Sequence, residues 1–307
     1  MTEAKVFERI AVVGIGLIGS AICWAARRGG LVGEIVAYDV VPQVRARVVE
    51  LGMADRVAET LADAVRDADH VILCVPVGIV GEVVAEAAAH LKRGVILSDV
   101  GSVKSSVVEA TLPHLPEGTF FVPAHPVAGT EFSGPDAGFA EMFENRWCIL
   151  TPCARSDEAS VEKVRRLWLS CGAKVDTMSA HHHDLVLAIT SHVPHLIAYN
   201  IVGTAAHLEE VTESEVMKFS AGGFRDFTRI AASDPTMWRD VFLNNKDAVL
   251  EMLGRFSEDL AALQRMVRWG DGDGLFDLFT RTRAIRRSIV AMGQETAAPD
   301  FGRRGAK

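Results

Sequence analysis

Three glycines spaced as Gly14-x-Gly16-x-x-Gly19 stand directly after a short apolar run, Arg9-Ile10-Ala11-Val12-Val13. If that run is a strand and a helix follows, each glycine has a task. The first permits a tight turn, the second lets backbone approach a pyrophosphate, and the third lets helix and strand pack closely. The helix N-terminus then faces the phosphates. A lone triplet is weak, because glycines serve turns and packing in many chains. Asp39 strengthens it, lying 20 residues beyond Gly19 at the end of a second apolar run. A carboxylate there accepts a ribose 2′-hydroxyl and repels the extra phosphate of NADP, so the expected cofactor is NAD. Arg45 and Arg47 are the opposing observation: either reaches back toward a phosphate, or both lie on the solvated face of the next helix. Leu17 and Ile18 at the helix start, with Val75 and Pro76 after a third strand, complete the expected cofactor residues.

Polar groups gather at two further expected strand ends, in Ser98-Asp99-Val100-Gly101-Ser102-Val103-Lys104 and in His125-Pro126-Val127-Ala128-Gly129-Thr130-Glu131. The carboxyl edge of an open parallel sheet is where ligands bind. A lone loop histidine is more often held by hydrogen bonds than engaged in chemistry. His125, however, follows the fifth expected strand and sits between Pro123 and Pro126, beside a run of small residues. Oxidising an alcohol removes a proton as well as a hydride, and imidazole is the side chain whose pKa suits that proton. In the second half, Arg225-Asp226-Phe227-Thr228-Arg229 follows two glycines. An arginine there grips a carboxylate over the cofactor cleft, or else pairs with Asp226 or Asp234 at the surface. Ser191-His192-Val193-Pro194-His195 offers two histidines on one helical turn, as suited to a core as to a site. His181-His182-His183 invites a metal reading, but consecutive helical residues point apart and chelate one ion poorly; helix-start polar residues are the better account, and no metal is expected.

The elements that must hold these groups are legible from periodicity. Apolar runs at 9–13, 34–39, 70–75, 94–98, 119–123, 146–150 and 173–177 alternate with helical patterns, including one from Pro42 to near Gly52 and one over 157–169. That alternation implies βαβ units and a mostly parallel sheet. Beyond Ser179 helical periods dominate to about Met292, so the expected architecture is an α/β Rossmann domain over residues 1–178 followed by an all-α domain over 179–307. A helical domain of this kind exposes an apolar face that pairs with its copy, and a homodimer is expected.

The formal net charge of -8 disfavours nucleic-acid backbones and anionic membranes. Five cysteines without paired CxxC spacing argue against a disulfide framework and for a reducing cytoplasm. The N-terminus lacks a signal-peptide pattern, and the apolar stretch from Val71 to Val84 is too interrupted to span a bilayer.

Together these segments resemble the prephenate/arogenate (cyclohexadienyl) dehydrogenase family of TyrA type. The matching pieces are Val13 to Ser20, Asp99 to Lys104, His125 to Glu131, Ser191 to His195, Gly222 to Arg229 and Asp234 to Asp240, in the family's order. The first is generic to Rossmann enzymes; His-Pro-x-Ala-Gly-Thr-Glu and Gly-Gly-Phe-Arg-Asp-Phe-Thr-Arg are far more specific. The segment from Arg281 to Arg303 looks like the cyclohexadienyl branch. The resemblance implies oxidative decarboxylation of prephenate, or of arogenate, or of both, with NAD on the route to tyrosine. It implies that His125 takes the proton of the ring hydroxyl, Ser102 orients that hydroxyl, Arg229 binds the side-chain carboxylate and His195 lies near the side chain. Glu131 and Asp226 would form a gating ionic network, Trp238 would close the pocket, and Thr130 lies where family members influence inhibition by tyrosine. Neither a chorismate mutase segment nor an ACT domain is expected.

Two other readings remain at this point. A β-hydroxyacid or 6-phosphogluconate type of dehydrogenase would use a helical-domain lysine, for which Lys218 and Lys246 are the candidates. A non-catalytic NAD-sensing protein would keep the glycines and Asp39 without needing His125, Ser102 and Arg229.

Overall fold

A computed structural model describes residues 5–130, 132–209 and 218–291. Among them, six strands form a parallel sheet: β1 (Phe7–Val13), β2 (Val32–Tyr38), β3 (Arg56–Val57), β4 (His70–Leu73), β5 (Ile96–Asp99) and β6 (Phe120–Phe121). Their order, β3-β2-β1-β4-β5-β6, is that of the doubly wound dinucleotide fold. Strands covered on both faces need continuous apolar runs rather than alternation. β4, His-Val-Ile-Leu, is buried along its whole length.

Helix α1 (Leu17–Gly29) lays Ala21, Ile22, Ala25 and Ala26 on one sheet face. There they meet Val164, Leu167 and Trp168 of a later helix, Glu158–Ser170. That helix starts in a capping box, with Asp157 accepting from the Ser160 N–H at 2.7 Å. The helix expected from Pro42 runs Pro42–Leu51, with Pro42 in its first turn and Gly52 in the left-handed conformation at its end. The opposite face is covered by Leu61, Val65, Val80, Val84 and Val107, joined by Trp238 and Val241 from the helical half.

The sheet does not continue as read from the sequence. After Phe121 the chain passes Pro123, and Ala124–Pro126 forms a separate three-stranded sheet with Trp147–Leu150 and Lys174–Thr177. The first of these pairs is antiparallel, with His125 opposite Ile149. Prolines at 123 and 126 lack the N–H that a continuing ladder needs, which ends the parallel sheet and starts the small one. His125 therefore sits within a strand instead of in the loop after one.

From Ala180 the described residues are mostly helical, beginning with Ala180–Leu187, a π-helical turn over Ala188–His192, and Val193–Glu209. By length and composition the run Ala180–Leu208, with mean hydropathy 1.5, would suffice to cross a membrane. It is nonetheless interrupted by polar groups turned into the protein, since His183, Asp184 and His192 are all buried. The helices Gly222–Thr228 and Pro235–Asn244 follow.

The chain forms two compact units, one to Val249 and one from Leu250. The second holds most of the helix Lys246–Trp269 and all of Gly272–Ala291. Its apolar side chains Leu250, Leu260, Val267, Trp269, Phe276 and Phe279 are exposed.

Candidate active site

The glycine loop has the geometry that its spacing implies. Gly14 has φ +90°, and a Cβ there would come within 2.5 Å of the Cys74 carbonyl at the end of β4. A Cβ on Gly19 would lie 2.0 Å from the Gly14 carbonyl, so helix and loop touch backbone to backbone. Gly16 caps α1 with no side-chain hydrogen bond, and nothing stands within 4 Å of where its Cβ would be. Uncapped helix N–H groups behind an open, side-chain-free surface are what a pyrophosphate requires. The loop lies at the β1–β4 switch point, beside Val75.

Asp39 directly follows β2, with its carboxylate held toward the loop: Oδ2 accepts from the Ile15 N–H at 2.8 Å and Oδ1 from the Val41 N–H at 2.9 Å. The two arginines that opposed the NAD reading are both engaged. Arg45 donates to the Asp39 carbonyl at 2.9 Å and pairs with Glu59 at 3.1 Å. Arg47 forks onto Asp136 at 2.6 Å and also meets Glu50.

The acid/base groups converge beside this edge. Asp99, the last residue of β5, accepts from the Gly101 N–H at 2.9 Å and from the Lys104 ammonium, and both side chains are fully buried. Lys104 donates its other bond to the Ala124 carbonyl at 2.7 Å, tying β5 to the strand that carries His125. Burial pushes the Lys104 pKa down, against the pull of Asp99. His125 is 7% exposed. Burial, then the neighbouring His183, Lys104 and His192, holds its pKa well below the usual value. A neutral imidazole is the form that accepts a proton.

His125 Nδ1 lies 2.8 Å from His183 Nε2, and His183 Nδ1 lies 2.9 Å from Asp184 Oδ1. Of the three consecutive histidines only His183 is buried, while Ser179 caps the helix by accepting from the His182 N–H at 3.2 Å. Capping thus accounts for the start of the run but not for its third member. Sequence reasoning missed His183 and Asp184, and also Asn245, whose amide donates to the Asp184 carbonyl at 2.9 Å and contacts His192 Nδ1 at 3.0 Å.

The π-helical turn brings in the second histidine pair; such turns frequently mark functional sites. His192 is fully buried and its pKa falls to about 4, chiefly by burial, although the Ser102 main chain beside it pulls the other way. His195 donates to the Ser191 carbonyl at 2.8 Å and stacks on Trp238 with ring centroids 3.6 Å apart. Burial lowers its pKa; the Ser191 carbonyl opposes this and the Arg229 guanidinium adds to it. Trp238 is buried and edges onto His192 at 6.1 Å. His125 is tied to His183 and Asp184, Asn245 joins Asp184 to His192, and His192 edges onto Trp238, on which His195 stacks. Asp226 lies exposed on Gly222–Thr228, Thr130 is exposed, and Glu131 lies outside the described residues. Lys218 and Lys246, the rival acid/base candidates, are both exposed.

A dinucleotide cradle at the switch point, with a buried neutral imidazole tied to the end of β5 through Lys104, defines an NAD-dependent dehydrogenase with a helical second half. Residues 22–177 match the prephenate dehydrogenase nucleotide-binding domain, and residues 179–281 match the prephenate dehydrogenase dimerization domain. The chain belongs to the prephenate dehydrogenase family. It is 43% identical to the cyclohexadienyl dehydrogenase of Zymomonas mobilis, over 92% of this chain and 97% of that protein. It is 34% identical to the prephenate dehydrogenase of Bacillus subtilis, over 96% of this chain and 79% of that one. The crystal structure of Aquifex aeolicus prephenate dehydrogenase, in complex with hydroxyphenyl propionate and NAD+, superposes with a TM-score of 0.86. It is 33% identical, and the match covers 92% of this chain and 98% of that chain.

Proposed function

We propose that this protein oxidatively decarboxylates prephenate to 4-hydroxyphenylpyruvate with NAD, in the formation of tyrosine. The observation that carries this is the buried neutral His125, joined through Lys104 to Asp99 at the end of β5 and through His183, Asp184 and Asn245 to the His192–Trp238 pair. Gly14, Gly16, Leu17, Ile18 and Gly19 hold the pyrophosphate half of the cofactor, Asp39 the ribose, and Val75 with Pro76 flank the other side. The engagement of Arg45 and Arg47 with Asp39, Glu59 and Asp136 favours NAD over its phosphorylated form. Bound NAD supplies the hydride acceptor.

His125 takes the proton of the ring hydroxyl, and Ser102 orients that hydroxyl. Arg229 grips the side-chain carboxylate, with His195 beside the side chain and Trp238 closing the pocket. Loss of hydride and proton from the ring carbinol leaves a dienone, an electron sink for the ring carboxylate. Carbon dioxide then departs and the ring becomes aromatic, which supplies the driving force. Asp226 and Glu131 are proposed to gate entry. Arogenate carries an amino group where prephenate has a keto group, and the similarity to a cyclohexadienyl dehydrogenase favours dual specificity as the second reading.

Residues 1–178 are assigned to the nucleotide-binding domain and 179–307 to a substrate-binding and dimerisation domain; the two family matches support that division. The exposed apolar residues of the last two helices, and the family's dimerization domain, support a homodimer. Action in the cytoplasm is consistent with five free cysteines.

The test is stoichiometry. One carbon dioxide and one 4-hydroxyphenylpyruvate per NADH support the reading, whereas NADH without carbon dioxide would make the protein a simple alcohol dehydrogenase. In the same assay Arg229→Ala should raise KM for prephenate roughly 10–100-fold while kcat holds, the loss of one charged hydrogen-bonded contact. An unchanged KM would remove Arg229 from carboxylate binding.

A further inference from the structure

We infer that His183 and Asp184 are positioning residues of the reaction: a hydrogen-bonded chain that fixes His125 as the tautomer whose Nε2 carries the free lone pair. The argument starts at Asp184. Its Oδ1 accepts the Lys104 N–H and its Oδ2 the Ser105 N–H, each at 2.8 Å. These are N–H groups at the start of the helix Ser105–Thr111, which has no side-chain cap of its own. Asp184 therefore caps, from about 80 residues away, a helix beginning just after Ser102. Burial works against its charge, yet the bonds from His183, Ser105 and Lys104 outweigh burial and hold its pKa below the usual carboxylate value.

An ionised carboxylate only accepts hydrogen bonds. The 2.9 Å contact to His183 must accordingly be donated by His183 Nδ1–H. His183 is fully buried, and burial lowers its pKa, so it carries a single proton and its Nε2 is a bare acceptor. The 2.8 Å contact between His183 Nε2 and His125 must then be donated by His125 Nδ1–H. A neutral imidazole protonated at Nδ1 has its lone pair on Nε2. At each step only one arrangement places a donor against an acceptor.

The other ionisable groups around this chain leave that assignment intact. Lys104 and Asp99 form a closed buried pair, and the positive charge of Lys104 disfavours a second proton on either imidazole. His192 is neutral at physiological pH, and burial drives the Cys148 thiol far above its usual range. When His125 gains a proton at Nε2, its Nδ1–H already points to His183, and the Asp184 carboxylate beyond it favours the new charge. This is the orienting logic of a carboxylate behind a catalytic histidine, with one additional imidazole between them.

The inference rests on His125 as the base, but the tautomer can be read without any substrate. Protein labelled with ring-15N histidine, compared with His125→Asn to assign the resonance, should show His125 protonated at Nδ1 and bare at Nε2 at neutral pH. A His125 protonated at Nε2 in the wild type overturns the inference, whether or not prephenate is turned over. Asp184→Ala removes the acceptor that fixes the His183 proton, so the direction of the chain is no longer set. The expected result is a mixed His125 tautomer and kcat lowered roughly 10²–10⁴-fold, with NAD affinity unchanged.

Because Asp184 also caps a helix, two variants that leave it in place provide a second route. His183→Gln keeps an acceptor for His125 and should retain the tautomer, with kcat within about tenfold of the wild type. His183→Leu keeps none and should lose both. Wild-type kcat in His183→Leu would reduce His183 to a packing residue. A wild type inactive on prephenate but showing the expected tautomer would instead remove the proposed substrate and leave the relay standing.

Discussion

His125→Asn should lower kcat roughly 10²–10⁴-fold and leave the dissociation constant for NAD unchanged. Asparagine fills much of the same volume and retains a polar contact toward His183, so the small sheet and its Ile149 pairing are preserved. What is lost is the proton acceptor. The dinucleotide loop, anchored by Gly14, Gly19 and Asp39, makes none of its hydrogen bonds to His125. The pH profile provides an independent sign. A base works only when unprotonated, and the His125 pKa lies well below 6.5 because the ring is buried beside His183, Lys104 and His192. Wild-type kcat/KM should therefore be steady from neutral pH down to the mildly acidic range and fall only as pH drops through that depressed pKa. In His125→Asn the residual rate should lack that limb. Near-normal turnover in the variant, checked by steady-state kinetics, would remove His125 from the chemistry.

Lys104→Ala should destabilise the fold by about 3–5 kcal/mol, because Asp99 would be left as a buried, uncompensated charge. Both side chains of the pair have zero exposure. The ammonium also joins β5 to the Ala124 carbonyl, so its removal loosens the strand that carries His125. Urea denaturation followed by circular dichroism measures this as a drop in the transition midpoint. The double variant Asp99→Leu with Lys104→Met should recover most of the loss, since an apolar pair of similar volume avoids the desolvation of two ions. If Lys104→Ala unfolds at the wild-type midpoint, the pair is not a structural tie.

Local spacing made the candidate cofactor site legible. Gly14, Gly16, Gly19 and Asp39 lie within one βαβ unit, and their sequence separations translate directly into the turn and strand end that position them. His125 was visible through its flanking prolines, and the same prolines stop the parallel sheet at Phe121, a consequence that an apolar run from 119 to 123 concealed. The two-residue strand Arg56–Val57 and the five-residue helix Leu61–Val65 are too short to leave a period.

His183 and Asp184 were hidden for a different reason. Their partners lie at 125 and at 104–105, so nothing near 183 in the chain distinguishes it from the exposed His181 and His182. Lys104 appeared only as the end of a motif, whereas the lysines weighed as acid/base candidates, 218 and 246, are exposed. A separation of about 80 residues between a helix start and its capping carboxylate has no local signature.

The most direct test of the central claim is the initial rate at the reduced-nicotinamide absorbance band, with NAD and with prephenate and arogenate offered in parallel. The account predicts NADH formation with prephenate; comparable or faster turnover of arogenate would place the enzyme in the cyclohexadienyl or arogenate branch of the same family. No absorbance change with either substrate, in protein shown to bind NAD, would contradict the account and leave the cradle serving another reaction.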